Sequence, residues 1–201
     1  MVKAWLLFIL FIGLPQSVYS ATILVLGDSL SAGYGIPIDQ GWVALLEQRL
    51  KKEHKDIQVV NASISGETTA GGRYRLPGLL KRHHPDIVIV ELGGNDGLRG
   101  IAPKQMEQNL AAMIETARQG GAKVLLLGMK MPTNYGPQFA QLFESVYAKL
   151  AKRYGVRLIP FFLDGVAMDA SLMQADGIHP NVKAQAQLLE AVWGPLSNML
   201  N

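Results

Sequence analysis

Ser29 lies in Gly27-Asp28-Ser29-Leu30-Ser31, directly after an apolar run, and Asp176-Gly177-Ile178-His179-Pro180 follows near the other end of the chain. A hydroxyl is a poor nucleophile until a base takes its proton, and an imidazole acting as that base needs a carboxylate to fix its tautomer. Ser29, His179 and Asp176 offer those three groups, which is the chemistry of a serine hydrolase. The three-residue spacing lets one turn place the Asp176 carboxylate beside the His179 ring. Taken alone, Gly-Asp-Ser is equally a turn that caps the next helix, so the flanking segments must decide. Acyl transfer also needs donors aimed at the oxygen that becomes negative. Gly66, in Asn61-Ala62-Ser63-Ile64-Ser65-Gly66, and Asn95, in Gly93-Gly94-Asn95-Asp96-Gly97, are the candidates, although each by itself is also an ordinary turn residue.

These groups must be positioned by the elements around them. Thr22 to Leu26 is a short, nearly continuous apolar run ended by glycine, the pattern of a strand buried on both faces. Further strands are predicted at 57–60, 86–92, 123–127 and 157–159. Helices are predicted near 42–50 and over 67–83, 103–118, 137–154 and 181–200. Strict alternation, with no linker or repeat, argues for one α/β domain, and strands joined by helical crossovers lie parallel. The simplest arrangement is a flavodoxin-like α/β/α sandwich with a five-stranded parallel sheet in the order 2-1-3-4-5. That order sets strands one and three side by side, so the loops carrying Ser29, Gly66 and Asn95 converge on one crevice.

Residues 1–20 read as a signal peptide, with Lys3 ahead of an apolar stretch from Ala4 to Leu14 and cleavage near Ser20/Ala21. The stretch is short for a membrane anchor, so residues 21–201 are expected to be periplasmic or secreted, without a stable anchor. There is no cysteine, and the core alone must stabilise the domain. Without Lys3 the net charge of +3 becomes +2, and the cations at Lys51-Lys52, Lys81-Arg82 and Lys152-Arg153 are dispersed, so no nucleic-acid partner is expected. His54, His83 and His84 read as solvated surface residues. No histidine pair has ligand spacing and Gly33-x-Gly35 lacks the third glycine of a dinucleotide fingerprint, so neither a metal nor a cofactor is expected. No heptad pattern demands a partner chain, and a monomer is the default.

With these blocks in hand the chain resembles the SGNH hydrolases, also called GDSL esterases and lipases. Gly27-Asp28-Ser29 matches the nucleophile block, Gly66 the second block, Gly93-Gly94-Asn95-Asp96 the third, and Asp176 with His179 the last. The longer stretches 26–34, 90–100, 132–136 and 176–181 resemble an exported bacterial branch of that family. The resemblance implies a broad-specificity hydrolase of thioesters, of aryl and alkyl esters and of lysophospholipids. It also implies an oxyanion hole built from the N–H groups of Ser29 and Gly66 and the Asn95 amide. Leu30, Leu98, Met131, Pro132, Tyr135 and Ile178 are expected on loops at the same edge, either lining an acyl pocket or packing the loops themselves, and 97–100 resembles a movable lid. Three alternatives remain open: a carbohydrate O-acetylesterase of the same fold, a noncatalytic periplasmic binding module, and a phosphate-binding flavodoxin-like protein. The last leaves Asp176 and His179 without a task.

Overall fold

The computed structural model describes residues 21–53, 55–131 and 133–200. The expected signal peptide, His54 and Pro132 lie outside the described residues. The elements run β1 (Ala21–Gly27), α1 (Ser29–Ala32), α2 (Trp42–Lys52), β2 (Ile57–Asn61), α3 (Thr69–His83), β3 (Ile87–Glu91), α4 (Gly94–Leu98), α5 (Pro103–Gln119), β4 (Lys123–Leu127), α6 (Pro137–Tyr154), β5 (Arg157–Ile159) and α7 (Gln185–Ser197). The five strands form one parallel sheet in the order β2-β1-β3-β4-β5, as expected from the alternation of strands and helices.

Layering follows from burial. Residues 22–27 of β1 and all of β3 are buried, because helices cover both faces: α3, α5 and α6 pack side by side on one, and α2 pairs with α7 on the other. Trp42, Leu46 and Leu50 of α2 and Leu188, Val192 and Leu196 of α7 recur at helical spacing and are fully buried. Each such side chain removed from water stabilises the fold by about 1.5–3 kcal/mol before entropy is counted.

Register then aligns the functional loops. Gly27 pairs with Glu91 across β1 and β3, and Val25 pairs with Asn61 across β1 and β2, so three strands end at nearly the same level. The following backbone keeps this alignment, with the Ala62 N–H donating to Val25 O at 2.9 Å and the Ile64 N–H to Gly27 O at 3.0 Å.

Several boundaries differ from the sequence expectation. The stretch after Gly93, expected as a loop, winds into α4, and the segment expected as a lid begins inside that helix with Gly97 buried. The closing helix, expected over 181–200, is a 3₁₀ turn at Val182–Ala184 followed by α7, since Asn181 caps it by accepting from the Lys183 N–H at 2.9 Å. His84 is exposed and ends α3 in the left-handed region, at φ 43°, while His83 is half-buried rather than fully solvated.

Candidate active site

Ser29 is the first residue of α1, placed by a sharp exit from β1. Asp28, just before it, caps this single turn by accepting from the Leu30 N–H at 3.1 Å, and Gly33 closes it at φ 76°. A short helix held at both ends fixes the direction of the Ser29 side chain. Its N–H, at the helix start, donates to no protein acceptor among the described residues, and neither does the N–H of Gly66.

His179 arrives from the far end of the chain on a narrow hairpin. Met173 and Pro180 form an antiparallel bridge, the Gln174 N–H donates to His179 O at 2.7 Å, and Gly177 turns the chain at φ 67°. The hairpin is also braced to the loop after α1, because Gln174 Nε2 donates to Tyr34 O at 2.8 Å and to Pro180 O at 3.1 Å. His179 Nε2 thereby lies 2.9 Å from Ser29 Oγ, and Nδ1 lies 2.7 Å from Asp176 Oδ2. The Asp176 carboxylate accepts from the N–H groups of Ile178 and His179 at 2.9 and 3.0 Å. Those backbone donors and the His179 ring hold its pKa down at about 2, so it is ionised across the working range. With Asp176 accepting, Nδ1 carries a proton and Nε2 of the neutral ring is free to accept one from Ser29.

The third group is set from behind. Asn95, on α4, donates from Nδ2 to Asp28 Oδ2 at 2.9 Å. Only the NH₂ end can face a carboxylate, so this bond fixes the amide's orientation and leaves its second N–H to point elsewhere. Asp28 is 2% exposed, and burial raises its pKa to about 6, against the opposing pull of the Leu30 N–H and the Asn95 amide. Asp96, fully buried beside it, anchors α4 by accepting from the Thr69 N–H at 2.8 Å.

Of the apolar residues expected at this edge, Leu98, Tyr135 and Ile178 are exposed and Leu30 is half-buried against the core. Met131 is buried in the core, and a Cβ on Gly97 would meet its Sδ at 2.2 Å, so it supports α4 from below. Sequence reasoning missed Ile64, half-exposed on the Gly66 loop, and Tyr34, whose ring centroid lies 4.5 Å from that of His179. It also missed the Gln174 brace, whose only sequence signal is a lone amide ahead of Asp176. Among the described residues no group of three or more metal-ligating side chains comes together.

A doubly wound parallel sheet with a Ser-His-Asp hydrogen-bond chain at the carboxyl ends of its strands defines a serine-hydrolase type of protein. Residues 25–187 match the GDSL-like Lipase/Acylhydrolase family, and the chain belongs to that family of ester hydrolases. It is 54% identical to Esterase TesA of Pseudomonas aeruginosa over 93% of each chain. Over 90% of this chain and 85% of the other it is 45% identical to the Escherichia coli protein named Thioesterase 1/protease 1/lysophospholipase L1. Among solved structures, the esterase EstA from a Pseudoalteromonas species, inhibited by monoethylphosphonate, superposes with a TM-score of 0.87 at 40% identity, covering 90% of this chain and all of that one.

Proposed function

We propose that Ser29 is the nucleophile of a two-step ester and thioester hydrolysis, with His179 as general base and Asp176 as its orienting partner. The observation that carries this reading is the continuous chain from Ser29 Oγ to His179 Nε2 at 2.9 Å and from Nδ1 to Asp176 at 2.7 Å. Ser29 Oγ attacks the acyl carbonyl while Nε2 takes its proton. The imidazolium then protonates the departing alcohol or thiol, and water, activated by the same ring, releases the acid from the acyl-enzyme.

The tetrahedral oxyanion is assigned to the N–H groups of Ser29 and Gly66 and to the free N–H of the Asn95 amide. All three stand at the ends of β1, β2 and β3, and the Asp28 bond holds the amide ready before substrate arrives. A phosphonate is a tetrahedral mimic of this intermediate, which suits the inhibited EstA relative.

The substrates are assigned to aryl and alkyl esters, acyl thioesters and lysophospholipids. Ile64, Leu98 and Tyr135, on the segments that follow β2, β3 and β4, and Ile178, next to His179, keep apolar surface in solvent, which suits an acyl chain better than an acetylated sugar. The protein is assigned to the periplasm or the exterior after cleavage near Ser20/Ala21, acting as a monomer. No helix among the described residues is long and apolar enough to cross a membrane.

Paired assays of the purified protein and its Ser29→Ala variant on p-nitrophenyl acetate, p-nitrophenyl decanoate, palmitoyl-CoA and a lysophospholipid test the reading. The variant is expected to lose at least about 10³-fold in kcat, since removing the nucleophile leaves only binding and oxyanion stabilisation. Near-parental turnover in the variant overturns the nucleophile assignment. Activity confined to the acetate ester overturns the substrate assignment and favours a sugar deacetylase.

A further inference from the structure

Glu91 is the one charged residue type in the apolar run of β3, fully buried and without a task in the proposed reaction. Its Oε2 accepts from the Ser31 hydroxyl at 2.7 Å and from the Asp28 N–H at 3.3 Å. Asp28 and Ser31 stand on either side of the Ser29-Leu30 pair, so one oxygen grips both ends of the nucleophile turn. Gly27 makes room for the grip, because a Cβ there would lie 2.8 Å from the same oxygen. We propose that Glu91 is a positioning residue for Ser29, tying the turn that carries the nucleophile to the end of β3. The inference rests on Ser29 being the nucleophile.

The surroundings also define the state of this carboxyl. Its Oε1 is buried with no hydrogen-bond partner, and no lysine or arginine among the described residues pairs with it. The ionisable groups around it are acids: Asp28 on the turn after β1, Asp96 on α4 and Tyr147 on α6. Burial, reinforced by Asp28, pushes its pKa well above the ordinary carboxylate range. Of the two neighbouring carboxyls, Asp28 has donors on both oxygens, so Glu91 is the one that burial drives more strongly towards the neutral form. In that neutral form Glu91 still accepts through Oε2, and a glutamine of the same shape preserves the grip.

Three variants test this, Glu91→Gln, Glu91→Leu and Ser31→Ala, each read by kcat and KM on p-nitrophenyl butyrate, by the rate of Ser29 labelling with a fluorophosphonate, and by near-UV circular dichroism. The glutamine variant is expected within about threefold of the parent in labelling rate, because one neutral acceptor replaces another. Its acidic limb of the pH–rate profile stays in place. The leucine and alanine variants are expected to label about tenfold more slowly or worse, with kcat reduced in proportion and KM within about twofold, because only the nucleophile's placement is lost.

Parental labelling rates in folded Glu91→Leu and Ser31→Ala overturn the proposal. A glutamine variant as slow as the leucine variant also overturns it, as does an acidic limb displaced to lower pH, which would mean that a carboxylate had been removed. If Glu91→Leu fails to fold, Ser31→Ala decides alone. Failure of the underlying reading shows separately, as a parent protein that the fluorophosphonate does not modify at Ser29.

Discussion

The side chains at the site divide into those that would touch substrate and those that aim them, and Asp28 belongs to the second group. Its carboxylate fixes the Asn95 amide at 2.9 Å while burial raises its own pKa to about 6. Asp28→Asn is expected to lower kcat on p-nitrophenyl butyrate about tenfold, since an amide acceptor holds Asn95 less strongly than a charged one and can itself rotate. KM is expected to change little. The same substitution removes a buried charge, so the melting temperature at pH 7.5 rises as activity falls. A variant that is both slower and less stable would count against this account of Asp28.

The loops succeed because rigid elements meet beneath them. Thr69 at the start of α3 ties down Asp96 of α4, and Asn109 of α5 donates to the Thr69 hydroxyl at 3.1 Å, so three helices share one polar knot under Asn95. Across the sheet, β4 leaves through Gly128, whose N–H donates to Ile159 O at 2.8 Å and whose missing Cβ would lie 2.3 Å from Pro160 O. Backbone cannot give way as a side-chain tip can. Gly128→Ala is expected to cost about 2–3 kcal/mol and to lower the melting temperature by about 5–10 °C, as measured by calorimetry. Its KM is expected to stay parental, since β5 lies at the sheet edge away from Ser29.

Charge is distributed so that the two ends of the sheet differ. Lys51-Lys52, Lys81-Arg82 and Lys152-Arg153 all fall in the last turns of α2, α3 and α6, where cations suit the helix dipole. A cleft of about 400 Å³ at that end is lined by Arg118, Lys123 and Arg157. Two of these cations hold chain ends there: Arg118 donates to Tyr154 O, the last residue of α6, and Lys123 to Met199 O, two residues past α7. The opposite end, which carries Ser29, instead buries Asp28, Glu91 and Asp96. Asp28, with its raised pKa, binds a proton more readily folded than unfolded, so its contribution to stability is lost as pH rises from about 4 through about 6. Asp176, held near 2, contributes with the opposite sign, and its stabilisation is lost as pH falls from about 4 towards 2. Thermal melts are therefore expected to show greater stability near pH 5 than at pH 7.5, with a decline below pH 4. The gain towards pH 5 is expected to shrink in Asp28→Asn.

Much of this was legible in residue types and their order. Local preferences set the strands, because apolar runs bounded by glycine are buried whatever their neighbours, and crossover helices leave parallel pairing as the answer. Ser29, Asp176 and His179 could be picked out as candidates because a hydroxyl, an imidazole and a carboxylate stand in compact blocks, and Gly66 and Asn95, ordinary turn residues taken singly, because parallel strand order brings their loops to the same edge. What could not be read were relations between distant segments. The run Gly93 to Gly97 has poor helix propensity, yet α4 forms because Asp96 is tied to Thr69 and Gly97 sits on Met131. Tyr34 beside His179, Gln174 bridging two loops, and Glu91 gripping the turn after β1 each depend on register and on contacts between segments 60 or more residues apart. Local propensity carries no information about such pairs; packing of the assembled sheet and helices does.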